Sequence, residues 1–207
     1  YKKALEISPN FTGALHFLAN IYEKQGLLDS ALVYYEKALK TTQDNPKLLV
    51  SIGSVLQKKG LFREAVDHYN MALQIDPTLP EAYYDLGLAH DEIGLLNEAS
   101  YYYQKALKLR PDYPQALSNL GIIYARGGKL AEAIDLFKKA LDIKPDDAIT
   151  LINLGVSYEE LTKNIEQSAK SKELLDKAIE TYQKVLDLEP DNVPARERLA
   201  LIMRTTR

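Results

Sequence analysis

Cysteine and tryptophan are absent from the 207 residues, and methionine occurs twice. Without cysteine there is no disulfide framework, thiolate nucleophile or cysteine-ligated zinc, and the redox compartment stays open. No apolar run approaches the roughly 18 residues a membrane span needs, so no membrane insertion is expected. The opening Tyr1-Lys2-Lys3-Ala4-Leu5-Glu6 does not have a signal-peptide layout. A basic excess is also missing, since 26 Lys plus Arg stand against 29 Asp plus Glu for a net charge of -3. No general positive field exists to neutralise phosphates, and nucleic acid is not expected as a partner. The chain reads as soluble, and as cytoplasmic only by default, the compartment being otherwise unknown.

Catalytic signatures are missing as well. The three histidines, His16, His68 and His90, fall on different helices at unrelated positions, and no HExxH, GxSxG or Walker-type glycine loop occurs. The expectation is a protein that is not an enzyme and holds neither cofactor nor metal. His90 stands where Tyr22, Tyr124 and Tyr158 stand elsewhere, which points to a packed, hydrogen-bonded residue.

What the sequence does have is a period. Gly53, Gly87, Gly121 and Gly155 form one series spaced by 34, and Gly26, Gly60, Gly94 and Gly128 form a second. Pro77, Pro111 and Pro145 share a phase with Pro9, and Pro46, Pro80 and Pro114 share another. Alanines 31, 65, 99 and 133, and 38, 72, 106 and 140, complete the frame. The chain divides into the end of a truncated repeat (1–11), four units (12–45, 46–79, 80–113 and 114–147), a longer fifth unit (148–192) and a capping helix (193–207). Because residue 1 falls inside an element, upstream sequence is expected.

Within one unit the spacing describes a helix pair. Leu117, Leu120, Gly121 and Tyr124 share one helical stripe, which makes helix A. After Gly127-Gly128, the residues Ala133, Leu136, Phe137, Ala140 and Leu141 make helix B, which Pro145 ends. A glycine inside a helix costs about 1 kcal/mol relative to alanine, so Gly53, Gly87, Gly121 and Gly155 need a reason, and close approach of two helix backbones is the one expected. Two helices of about 14 residues are marginal alone, so stacking of one pair on the next is required. The fifth unit has an excess of 11 residues at about 162–173, a stretch without Gly or Pro, and longer helices are expected there. Arg196, Glu197, Arg198 and Arg204 make 193–207 a solvating cap.

This frame resembles the tetratricopeptide repeat, with Leu86-Gly87, His90, Gly94, Ala99, Tyr103, Ala106 and Pro111 on the signature positions of the third unit. The resemblance covers the whole chain. It implies an all-α fold, an α-α superhelix (a tetratricopeptide solenoid) of stacked antiparallel hairpins, with A helices on the concave wall. It also implies a protein–protein interaction module, an adaptor or scaffold that binds a peptide segment in the concave groove.

Carried over by position, the resemblance assigns ligand-facing places to Tyr84, Asp85 and Leu88 in the third unit, to Asn119, Ile122 and Arg126 in the fourth, and to Ile152, Asn153 and Val156 in the fifth. Tyr84, Leu88, Ile122, Ile152 and Val156 read as an apolar strip, the kind of patch that marks binding sites. Asn119 and Asn153 share one repeat position, with Asp85 preceding them and Phe17 and Ser51 in the earlier copies. An asparagine is a poor helix-interior residue, and its amide both donates to and accepts from an extended main chain. The pair looks like the asparagine array of O-linked N-acetylglucosamine transferase repeats. The two-carboxylate clamp of heat-shock co-chaperones finds no match, since Glu81 and Asp85 stand where two of its cations belong.

Charges around the strip are mostly negative, Glu81, Asp85, Asp91, Glu92, Glu159 and Glu160 against Arg126, which favours an apolar ligand with some basic residues. Two alternatives stay open. One is a homo-oligomer formed through the groove or the cut ends. The other is the targeting module of a larger enzyme, such as a glycosyltransferase.

Overall fold

A computed structural model describes residues 1–42, 44–163 and 169–205, and among these there are helices and no strands. Twelve helices are described: α1 (Lys2–Ile7), α2 (Thr12–Lys24), α3 (Leu28–Thr41), α4 (Pro46–Lys58), α5 (Phe62–Ile75), α6 (Pro80–Glu92), α7 (Leu96–Leu109), α8 (Pro114–Arg126), α9 (Leu130–Ile143), α10 (Ala148–Lys163), α11 (Ala169–Leu188) and α12 (Val193–Thr205). They divide into two compact units, Tyr1–Arg110 with α1 to α7 and Pro111–Arg207 with α8 to α12.

Local chemistry sets the helix ends. Proline opens α4, α6 and α8, where its missing N–H costs nothing and its fixed φ suits the first turn. The side chain of Asn45 accepts from the Leu48 N–H at 3.2 Å, and Asn192 accepts from the Ala195 N–H at 3.1 Å, each satisfying an otherwise orphaned donor. Helices α2, α4, α6 and α8 all stop by one device. Gly26, Gly60, Gly94 and Gly128 take φ between 75° and 80°. In the first case the Gly26 N–H donates to Glu23 O at 3.0 Å and the Leu27 N–H to Tyr22 O at 2.9 Å, and the other three turns repeat this pair of bonds. This is the left-handed C-terminal motif that glycine adopts without steric cost, and it reverses the chain into the next helix within three residues.

Inside the four hairpins from α4–α5 to α10–α11 the second glycine series has a different task. A Cβ on Gly53 would lie 2.5 Å from the Tyr69 ring, on Gly87 2.5 Å from Tyr103, on Gly121 2.7 Å from Phe137 and on Gly155 2.7 Å from Tyr182. The close approach expected between helices is therefore made by a helix-B ring set in a glycine notch of helix A. The partner is a side chain, not a second backbone. Tyr69, Tyr103, Phe137 and Tyr182 are fully buried, and burial of such a ring contributes on the order of 2–3 kcal/mol of apolar transfer, enough to offset the helix-interior glycine. Ala31, Ala65, Ala99, Ala133 and Ala178 are likewise fully buried and keep helix B close.

Each unit has its own core. In the first, Leu15, Ala19, Tyr35, Ile52, Val55, Tyr69 and Leu86 form one cluster, with Tyr22, Tyr34 and Tyr102 packed against it. In the second, Phe137, Leu151, Leu154, Tyr158, Ala178, Tyr182, Ala195 and Ile202 do the same. The last two come from α12, so that helix is packed as well as solvating. Where the sequence has its excess, α10 runs 16 residues and α11 runs 20, against 13 and 14 for α8 and α9. Residues 164–168 of that stretch lie outside the described residues.

Candidate functional site

A repeated hydrogen bond ties the α2–α3, α4–α5 and α10–α11 hairpins across the face that carries the expected ligand positions. The Tyr35 hydroxyl donates to Glu23 at 2.7 Å and also to Asn20. Tyr69 donates to Gln57 at 3.0 Å, and Tyr182 donates to Glu159 at 2.5 Å. Burial, followed by the neighbouring carboxylate, pushes the Tyr35 and Tyr182 hydroxyls well above the ordinary phenol value, so both stay donors. The α8–α9 hairpin has Phe137 in place of tyrosine and Ala125 in place of the acceptor. Donor and acceptor are lost together there, which leaves nothing buried and unpaired.

In the first unit, α6 presents Tyr84, Asp85 and Leu88, all half-buried. The Tyr84 ring lies 5.8 Å from that of Tyr103. Burial pushes the Asp85 carboxyl up to about 7, with the charge of Glu81 adding to the effect and Lys58 of α4 opposing it. Glu81 itself pairs with Arg110; burial works against its ionisation, but that hydrogen bond and charge hold its carboxyl below the usual range. On α2, Glu23 takes Lys58 at 2.6 Å as well as Tyr35. The His16 ring lies tilted 5.8 Å from that of Tyr35, and its Nε2 lies 3.5 Å from the Asn20 amide. His90 is half-buried, with Nδ1 2.8 Å from Leu86 O and its ring 4.9 Å from Tyr102, the packed role its position indicates.

In the second unit, α8 presents Asn119, Ile122 and Arg126, and α10 presents Ile152, Asn153 and Val156. Ile122, Ile152 and Val156 are half-buried against the core, so part of the apolar strip is used in packing α8 and α10. Asn119 is half-buried and Arg126 exposed, and both already carry interactions. Asn153 is half-buried, and among the described residues no hydrogen bond engages its side-chain amide; its backbone carbonyl accepts from Ser157 at 2.8 Å. A buried hydroxyl pair, Ser118 and Thr150 at 2.8 Å, joins α8 to α10, and Asp147 caps α10 by accepting from the Thr150 N–H at 3.1 Å.

Part of the negative rim expected from sequence is paired within the chain. Glu159 is 7% exposed. It accepts from Tyr182 and from Arg198 of α12 at 3.2 Å, so it works as a structural acceptor. Glu160 pairs with Lys163 at 2.6 Å and Glu81 with Arg110. Arg110 directly follows α7 and Arg198 lies on α12, so each partner comes from a later part of the chain than the acid it pairs with. Sequence reasoning also passed over the most open apolar side chains of α2, Phe17 and Ile21, which are 52% and 39% exposed. Phe17 holds the repeat position of Asn119 and Asn153, and its ring stacks on Tyr1 at 5.3 Å. Among the described residues no group of His, Asp and Glu has the arrangement of a metal site, and no helix is long and apolar enough to cross a membrane.

These features define a helical-repeat protein of A/B hairpins keyed by a ring in a glycine notch. Models of the tetratricopeptide repeat match residues 14–48, 58–94, 84–148 and 167–192. The chain belongs to the tetratricopeptide-repeat family, and its fold class is the all-α tetratricopeptide solenoid. No curated protein sequence matches it. Among solved structures it is similar to the MamA protein, at 28% identity over 86% of this chain and 92% of that one, with a TM-score of 0.67. It is also similar to YrrB, described as a repeat protein of this family with an unusual peptide-binding site, at 26% identity over 95% and 96% of the two chains and a TM-score of 0.68. PilF of Pseudomonas aeruginosa shares the fold at 22% identity, over 96% and 86% of the two chains, with a TM-score of 0.80.

Proposed function

We propose that this chain is a non-catalytic scaffold that binds a peptide segment along the ligand-facing side of its A helices. The observation that carries the reading is the Asn153 amide, half-buried and without a hydrogen bond among the described residues, set between Ile152 and Val156 on α10. An amide so placed offers one donor and one acceptor to an extended main chain, while the half-exposed aliphatics receive side chains. Asn119 and Ile122 on α8 extend that surface within the second unit, with Arg126 at the end of the helix. Tyr84, Asp85 and Leu88 form the corresponding surface of α6 in the first. The similarity to YrrB, a member of the family described as having an unusual peptide-binding site, supports the same reading.

The ligand is a protein segment with apolar anchors. A preference for basic residues is weakened by the internal pairing of Glu81, Glu159 and Glu160. The test is crosslinked capture from a native lysate with the wild type and with Asn119→Ala plus Asn153→Ala. Loss of captured peptide with an unchanged melting temperature supports the groove, and unchanged capture removes it. Self-association is a second reading, favoured by the exposure of Ile7, Phe11 and Phe17 at one end of the first unit. Concentration-dependent light scattering separates the two.

A further inference from the structure

The first unit also contains a cavity of about 490 Å³ between α3 and α5, floored by α4. Leu39, Leu49 and Ile52 line its inner part, and Met71 and Ile75 its outer wall. Met71 and Ile75 are 48% and 41% exposed, so the cavity opens to solvent through apolar side chains. A volume of this size lies in the range of built ligand sites, about 300–1,000 Å³. Nothing in the groove reading uses it, since its lining comes largely from helix-B positions.

The repeat itself shows what the space is shaped for. One period later, at the junction of α5, α6 and α7, Leu49 is replaced by Tyr83, His68 by Tyr102 and Met71 by Lys105. Tyr102 packs against the core of the unit, with its ring 4.9 Å from that of His90. At the equivalent positions that hairpin carries two phenol rings of its own. The α4–α5 hairpin has neither ring: Leu49 ends short, and the smaller His68 ring sits with Nδ1 2.9 Å from Glu64 O. The cavity therefore lies where the following repeat carries phenol side chains and this one does not. Its rim has Glu36, Asp44 and Lys40, and among the described residues none of the three has an ion-pair partner. The rim is net negative by one charge, which suits a cation beside the entering ring.

We propose that this cavity is a receptor for one aromatic side chain of a partner peptide, with basic residues flanking that aromatic. Burying a ring against five aliphatic side chains supplies the affinity, and Glu36 and Asp44 select the flanks.

The experiment is a titration of the methyl-labelled full chain with N-acetyl-Lys-Tyr-Lys amide, followed by nuclear magnetic resonance. Shifts centred on the methyls of Leu39, Ile52 and Met71 are expected. In Leu49→Tyr the protein's own ring occupies the space, and affinity should fall at least tenfold. Met71→Lys, which installs at an exposed position the residue found one period later, should weaken the basic peptide to a similar degree and serves if the first variant does not fold. Four results would overturn the proposal: no methyl shifts in the wild type, wild-type affinity in the folded variants, equal binding of N-acetyl-Glu-Tyr-Glu amide, or shifts of those methyls with protein concentration alone. The last would mean that a second copy of the chain fills the cavity.

Discussion

The hydroxyl of Tyr182 donates to the carboxylate of Glu159 at 2.5 Å, and Glu159 is almost inaccessible to solvent. Arg198 of α12 reaches the same carboxylate from a different helix at 3.2 Å, so one buried acid holds three helices. Removal of either donor leaves a buried anion short of partners, which costs more than the loss of an average hydrogen bond.

Tyr182→Phe is accordingly expected to destabilise the protein by about 1–3 kcal/mol, and Arg198→Ala by a similar amount. The two losses should not add, because both variants leave the same carboxylate undersatisfied. Urea unfolding of the two single variants and the double variant measures this coupling. Strict additivity would show that the two bonds act independently.

The α8–α9 hairpin provides the converse case. Phe137→Tyr alone places a hydroxyl opposite Ala125 and should cost about 1–2 kcal/mol as an unpaired buried donor. Adding Ala125→Gln, which reproduces the Tyr69–Gln57 pair, should recover most of it. A double-mutant cycle by thermal unfolding reads the coupling directly.

Two glycine substitutions separate space from backbone conformation. A Cβ at Gly121 meets Phe137 at 2.7 Å, so Gly121→Ala should destabilise by about 1–3 kcal/mol despite the helix propensity of alanine. A Cβ at Gly128 meets nothing within 4 Å, but φ there is 76°, so Gly128→Ala should cost about 1–2 kcal/mol through the left-handed backbone alone. Adding Phe137→Leu is expected to rescue the first variant and not the second, as measured by melting temperature.

Asp85 gives the stability a pH dependence of defined sign. Its folded pKa, about 7, lies above the ordinary carboxylate value, so between roughly pH 4 and 7 the native state holds a proton that the unfolded chain has released. Stability contributed by this group is therefore complete below about pH 4 and is lost as pH rises through 7. Glu81, held low by Arg110, acts in the opposite direction and only in acid. Asp85→Asn, the amide that Asn119 and Asn153 place at this position, should flatten the decline in melting temperature between pH 5 and 8. An unchanged profile would show that the carboxyl titrates normally.

Helix starts at Thr12, Pro46, Pro80, Pro114 and Ala148 were legible because the period fixes them, and the turn glycines were legible because their conformation is local. The duty of Gly53 and its counterparts was not, because a glycine notch looks the same from sequence whether a backbone or a ring enters it. The internal pairing of the charged rim was not legible for a related reason. Composition shows that Glu159 is acidic, but only three-dimensional packing shows that Tyr182 and Arg198 have claimed it. Asn153 was identified by its recurrence, and its unengaged amide is what the structure adds.

The ring-and-notch pairs make the hairpins from α4–α5 to α10–α11 self-matched, each a lock carrying its own key. Tyr182 comes with Gly155 and Glu159, whereas Phe137 comes with Gly121 and Ala125. Recombination that exchanges whole hairpins keeps each ring with its notch and its hairpin acceptor, although the Arg198 contact to Glu159 crosses such a seam, while a crossover inside a hairpin would strand a hydroxyl or an acid. Duplication and shuffling along this chain are thus constrained to steps of one full repeat, with the natural seams falling between helix B and the next helix A.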